Sequence, residues 1–273
     1  MAHPKYKMIV SDLDETLLDA QGRIPSKNIQ AIQKARELGV RFVPATGRGY
    51  RSVHKILDAI GLREMEREYV ISFNGGAVTE NKGERLLSFQ EIPFQKAEEL
   101  YCRGLSYDVC IHVYTKDTVY AYRLNKEEKD HVEGRLELQE IFTDRLDFLK
   151  GQKIVKILYQ NTDCSYLNQI EEDLKPITAD IDVSYSSNRY IEFNRKGINK
   201  GFGMLFLADL LHIRPEEIIA IGDNYNDLSM IQAAGLGAGV CNTVPEMKPH
   251  CDYVTNATND EGAIAEIIEK FIL

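Results

Sequence analysis

The sequence predicts an α/β fold in which a parallel-sheet core is interrupted by an inserted α+β domain. Three observations carry this. Strand-like apolar segments alternate with helix-like periodic segments at both ends of the chain. The middle changes texture, with a hairpin-like strand pair among helices. Three outer strand-like segments stop abruptly at polar residues, as strands of an open parallel sheet do along its ligand-binding edge.

Residues 6–11 are apolar and β-prone and end at Asp12, which reads as a buried strand. Ile29, Ile32 and the stretch 35–38 recur at helical spacing. Ser26 stands where an N-cap belongs, and Gly39 where the residue after a helix belongs. Residues 40–44 read as a second strand, 50–60 as a helix, and 69–73 as a third strand ending at the turn Asn74-Gly75-Gly76. Strands are then expected at 84–90, 110–115, 118–124, 154–159 and 182–186, with helices at 95–106 and 164–174. After Lys196 the alternation returns: helix 199–212, strand 218–221, helix 227–234, short strand 237–240 and amphipathic helix 262–271. The domain reading is a discontinuous core of residues 1–81 and 191–273 around an insert of residues 82–190.

The chain has 273 residues, 44% of them hydrophobic, enough for a packed core. Its 33 basic and 42 acidic side chains give a net charge of −9, which disfavours nucleic acid and anionic membrane surfaces as partners. The apolar runs at 205–211 and 218–221 are too short to span a bilayer, and the first ten residues carry no secretory pattern. Five cysteines without a CxxC fit a reduced, cytoplasmic protein, and the sequon Asn256-Ala257-Thr258 reads as chance.

Parallel core strands place their C-terminal ends along one edge. That edge would gather Asp12 and Asp14 from the first strand, Thr46 from the second and Asp223 from the late one. Carboxylates crowded together stay ionised only against a cation. Oxygen-only ligands point to Mg²⁺.

At these residues the chain resembles the haloacid dehalogenase superfamily, within it the Cof-like phosphatases with a type IIB cap. The matching motifs are Asp12-x-Asp14-x-Thr16, Thr46-Gly47-Arg48, Lys200 in Gly197-Ile-Asn-Lys-Gly201, and Gly222-Asp223-x-x-Asn226-Asp227. Asn74-Gly75-Gly76 and Asn259-Asp260-Glu261-Gly262 also look like this subclass. The resemblance implies a Rossmann-like core, an inserted cap, and hydrolysis of small phosphorylated metabolites through an aspartyl-phosphate. It implies Asp12 as nucleophile and Asp14 as general acid, then base. Mg²⁺ would be held by Asp12, the Asp14 backbone carbonyl and Asp223. Phosphate would be held by Thr46, Lys200, Asn226 and the amides of Leu13 and Gly47. Asp227 would orient Lys200, and Arg48 and Asn74 would contact substrate or brace their loops.

Each motif alone has a plain reading: Asp-x-Asp a solvated loop, Thr-Gly-Arg a strand exit, Lys200 a surface lysine, 222–227 an N-cap with an acidic first turn. Their order along the chain makes coincidence a poor explanation. No HExxH or GxSxG occurs, and Gly235-x-Gly-x-Gly lacks dinucleotide spacing. His112, Tyr114, Tyr120 and Tyr122 alternate at strand spacing and read mainly as sheet packing. Two departures stand out: Glu15 where many relatives carry Gly, expected in an extended segment, and Gly239-Val240-Cys241 in place of an Ala-Met-Gly-like triplet. A phosphotransferase or phosphomutase of the same fold, and a non-catalytic phospho-ligand sensor, remain as alternatives. Oligomeric state is not legible.

Overall fold

The computed structural model describes residues 4–134 and 136–273. Its chain divides into two compact units, Met1–Ser88 with Asn199–Leu273, and Phe89–Ile198.

The first unit opens with β1 (Met8–Ser11), α1 (Ser26–Glu37), β2 (Arg41–Pro44), α2 (His54–Ala59), β3 (Tyr69–Ser72), β4 (Ala77–Glu80) and β5 (Arg85–Phe89). The second unit holds α3 (Phe94–Gly104), β6 (Cys110–Thr115), β7 (Val119–Tyr122), α4 (Lys126–Val132), β8 (Leu138–Ile141), β9 (Ile154–Gln160), α5 (Cys164–Leu174), β10 (Ile181–Ser186) and β11 (Tyr190–Arg195). The chain returns to the first unit with α6 (Lys200–Leu210), β12 (Ile218–Gly222), α7 (Leu228–Ala233), β13 (Leu236–Gly239), β14 (Tyr253–Val254) and α8 (Ala263–Phe271).

In the first unit the five-stranded sheet runs β14-β13-β12-β1-β2, every pair parallel. A parallel bridge from Ala45 to Ile71 joins its edge to the sheet β3-β4-β5. Strand β1 is buried throughout, as a strand covered on both faces must be. Its alternating side chains feed two cores. Ile9 packs with Phe42, Ile219 and Ile221 and the apolar sides of α1 and α8. Met8 and Val10 pack with Val43, Ile218, Ala220 and residues of α6 and α7. Each fully buried Ile or Val contributes about 1.5–3 kcal/mol.

In the second unit the sheet runs β10-β11-β9-β6-β7-β8, antiparallel except for the parallel β7–β8 pair. Helices α3 and α5 cover the face carrying Ile111, Val113, Tyr120, Ile157, Tyr159, Ile191 and Phe193. His112 pairs with Ala121, and Val113 with Tyr120. His112 and Tyr114 therefore point to the face opposite Tyr120 and Tyr122, and the four do not form one stripe. Among the described residues no helix is long and apolar enough to cross a membrane.

The unit boundaries fall later than 82 and 190. Strand β5 belongs to the sheet with β3 and β4, and β11 pairs on both sides inside the second unit's sheet. Ser26 is the first residue of α1 and Pro25 its N-cap, whereas Gly39 does follow the helix with φ 84°. The stretch 50–60 begins as a 3-10 turn, Tyr50–Val53, before α2.

Candidate active site

The site is built at the C-terminal edge of the parallel sheet. Asp12 follows β1 directly, and its amide donates to the Ile221 carbonyl of β12 at 2.9 Å. Asp12 as a whole is 6% exposed. The chain then turns tightly, with the amides of Leu17 and Leu18 both donating to the Leu13 carbonyl at 3.0 and 2.9 Å. Leu13 is buried in the core and Asp14 is exposed. Glu15 is left-handed at φ 61°, not extended. A side-chain-bearing residue there costs about 1–2 kcal/mol, which explains why glycine suits the position.

Lys200 is the first residue of α6, behind the cap Asn199, whose side chain accepts from the Phe202 amide at 3.0 Å. A helix N-terminus disfavours a cation. Two carboxylates offset this: Lys200 Nζ donates to Asp12 Oδ1 and to Asp227 Oδ1, the latter at 2.6 Å. The Lys200 and Asp227 side chains are fully buried. Asp227 spends its other oxygen on the amides of Asp223 (3.0 Å) and Asn224 (3.2 Å), closing the turn after β12. Gly222 permits that closure, since a Cβ there would lie 2.4 Å from Asp227 Cβ.

Asp223 accepts from Thr16 Oγ1 at 2.6 Å, a contact across the sheet edge that the Asp-x-Asp-x-Thr spacing contained but that no role had been assigned to. Asp12, Asp223 and Asp227 present carboxylate oxygens all within 4.8 Å of one another. Burial first, then the neighbouring carboxylates, push Asp12 up to about 7 against the pull of Lys200, and Asp223 up to about 9. Burial alone would lower Lys200; Asp12 and Asp227 reverse that and raise it. Ionised together, the three buried carboxylates would outnumber the one ammonium, so Asp12 and Asp223 hold protons to higher pH unless a cation compensates them. An oxygen-only, acidic donor set of this kind fits a hard divalent cation such as Mg²⁺.

The second loop follows β2. The Thr46 amide donates to the Ile71 carbonyl, and the Asn74 amide to the Thr46 carbonyl, both at 2.9 Å. Thr46 Oγ1 accepts from the Arg48 amide at 3.1 Å. Arg48 grips Asp14 with two nitrogens, Nε to Oδ2 at 2.9 Å and Nη2 to Oδ1. Asn74 Oδ1 accepts from Asn226 Nδ2 at 3.4 Å and would meet any Cβ on Gly47 at 3.2 Å. Thus Asp12, Asp223, Asp227 and Lys200 form one buried knot. Asp14 stands outside it on Arg48, while the Thr46 carbonyl holds the Asn74 amide and the Asn74 side chain meets Asn226, the residue before Asp227.

A family model described as haloacid dehalogenase-like hydrolase matches residues 9–268. The chain belongs to the haloacid dehalogenase-like hydrolases. Phosphatase YwpJ of Bacillus subtilis is 27% identical over 293 aligned residues, covering 97% of this chain and 100% of that one. From the same organism, 5-amino-6-(5-phospho-D-ribitylamino)uracil phosphatase YwtE is 28% identical, covering 97% and 98%. The crystal structure of a haloacid dehalogenase-like hydrolase from Bacteroides thetaiotaomicron superposes with a TM-score of 0.82 at 29% identity, over 97% and 99% of the two chains. This hydrolase therefore has the fold and family that its motifs suggested, and it is an enzyme of the phosphatase class.

Proposed function

We propose that the chain is a Mg²⁺-dependent phosphomonoesterase acting on small phosphorylated metabolites, sugar phosphates or similar, through an aspartyl-phosphate on Asp12. The observation that carries this reading is the buried Asp12 carboxylate, paired with Lys200 at the end of β1 and close to a second buried carboxylate, Asp223.

Asp227 already uses both oxygens, on Lys200 and on two amides, which favours Asp12, Asp223 and the Asp14 carbonyl as the metal-holding set. Bound there, Mg²⁺ would neutralise charge on the phosphoryl oxygens and on the cluster. The chain's own residues do the rest. An Asp12 oxygen attacks phosphorus and the bond to the leaving oxygen breaks, while Asp14 gives that oxygen its proton. Water then attacks the phosphoryl group, Asp14 takes the proton, and Asp12 is restored as phosphate departs. Lys200, held by Asp227, offsets the charge that builds on the phosphoryl oxygens, with Thr46, Asn226 and the amides of Leu13 and Gly47 as its companions. Arg48 aims Asp14, and Asn74 braces Gly47 against Asn226.

YwtE is named for a phosphate ester of a polyol chain, which supports a small alcohol phosphate as the substrate class. The test is phosphate release from a panel of phosphorylated metabolites and one aryl ester, in Mg²⁺ and in EDTA. Release that requires Mg²⁺ is the expected result. Equal release in EDTA contradicts the metal assignment, and no release from any ester contradicts hydrolysis.

A further inference from the structure

We infer that Asn242 and Asn259 are positioning residues that pin the turn carrying the acid Asp14; this rests on the roles given above to Asp12 and Asp14. The turn of residues 13–18 contains a side-chain-bearing residue in a left-handed conformation, Glu15 at φ 61°. Such a residue relaxes toward ordinary backbone angles unless its surroundings over-determine it. Two asparagines from the far end of the sequence supply that hold. Asn242 Nδ2 donates to the Glu15 carbonyl at 2.8 Å. Asn242 Oδ1 accepts from the Asn259 amide at 3.0 Å. Asn259 is 8% exposed, and its Nδ2 donates to the Leu18 carbonyl at 2.8 Å. One residue on, Asp260 Oδ1 accepts from the Ala20 amide at 2.8 Å.

The same loop also holds the opposite wall of the site. Thr243 Oγ1 donates to the Gly222 carbonyl at 3.3 Å, and the Val244 amide to the Asp223 carbonyl at 3.0 Å. Residues 242–244 therefore tie the turn after β1 to the turn after β12, and so Asp14 to Asp223. The asparagines act through the Glu15 and Leu18 carbonyls, not on a reacting atom. Their value depends on the strain at Glu15. A glycine at that position adopts the left-handed conformation freely and needs the pin less.

The experiment is a double-mutant cycle of Asn242→Ala with Glu15→Gly, read by amide hydrogen exchange in segment 13–18 and by steady-state kinetics. For Asn242→Ala we expect exchange at Leu17 and Leu18 about tenfold faster, and kcat about tenfold lower with KM within about twofold. In the Glu15→Gly background both losses should shrink to about threefold or less, and Glu15→Gly alone should stay within about twofold of native. Equal losses in both backgrounds, or a kcat that falls only with the folded fraction, would overturn the inference. Should Asn242→Ala fail to fold, Asn242→Asp keeps the acceptor for the Asn259 amide and turns the donor to Glu15 into a carboxylate oxygen that the Glu15 carbonyl repels. Exchange needs no turnover, so a native protein without activity would sink the functional reading while the exchange pattern still decides the clamp.

Discussion

Asp14 and Arg48 illustrate how one side chain sets the task of another. Asp14 lies outside the buried knot, in reach of solvent and of the two-point grip of Arg48. As a general acid it matters most for a poor leaving group. Asp14→Asn should therefore lower kcat/KM by about 10²–10⁴ for an alkyl phosphate and much less for an aryl ester with an acidic leaving group. Equal losses on both esters, in a side-by-side kinetic comparison, would remove the acid role. Asp12 and Asp223 carry a pH dependence of stability. Folding raises both above the ordinary 3.8, to about 7 and about 9, so the folded chain keeps protons the unfolded chain has lost. That stabilisation is fully present below 3.8 and disappears as pH rises through about 7 and then about 9. In EDTA, thermal melting temperatures should fall across this window. Added Mg²⁺ should restore them at the alkaline end, because the ionised carboxylates then have a ligand. A flat profile in EDTA would contradict the uncompensated cluster.

At the scale of elements, the site depends on close backbone approaches. Gly75 has φ 90°, and a Cβ there would lie 2.0 Å from the Asn199 carbonyl, at the cap of the helix that begins with Lys200. Gly75→Ala should cost well over about 1 kcal/mol in urea unfolding and reduce kcat as well, since the shift reaches Lys200. Unchanged stability would mean that α6 is not seated there. Strands and helices with strong periodicity were legible in the sequence: helix α5 runs from Cys164 to Leu174 as expected, and strands β1, β2, β3 and β12 lie within a residue or two of their anticipated ends. Weaker elements were not. Strand β11 alternates apolar Ile191 and Phe193 on one face with polar Glu192 and Asn194 on the other, all four buried, and this alternation runs across the expected domain boundary at 190. Strands β4, β8 and β14 and helix α4 have two to seven residues, and pairing with neighbours fixes them more than local preference does. The strand-end pattern foretold that Asp12 and Asp223 meet, whereas Asp14, expected beside them, turns out to Arg48, and Lys200 and Asp227 were expected there only from the family resemblance. The sequence held no sign that Glu15 turns left-handed or that Asn242 meets it, because both depend on contacts between segments far apart in the chain.

For the whole molecule, the first unit contains the complete set of proposed catalytic residues, drawn from both of its sequence segments. A doubly covered parallel sheet is what brings residues near 12, 46, 200 and 223 to one edge. Core damage should therefore act on activity through the folded fraction. Ile9→Ala, at a fully buried position, should cost about 2–5 kcal/mol in denaturant unfolding while kcat per folded molecule stays near native. A large loss of kcat in fully folded Ile9→Ala protein would show that the edge is not rigid enough to isolate the site from its core.

The most direct measurement is the mass of the peptide containing Asp12 after acid quench of native protein during turnover, beside the same experiment with Asp12→Asn. The account predicts one phosphoryl group on that peptide in the native protein, none in the variant, and loss of phosphate release in folded Asp12→Asn. Retained turnover in the variant, or a phosphoryl group on a different peptide, would contradict it.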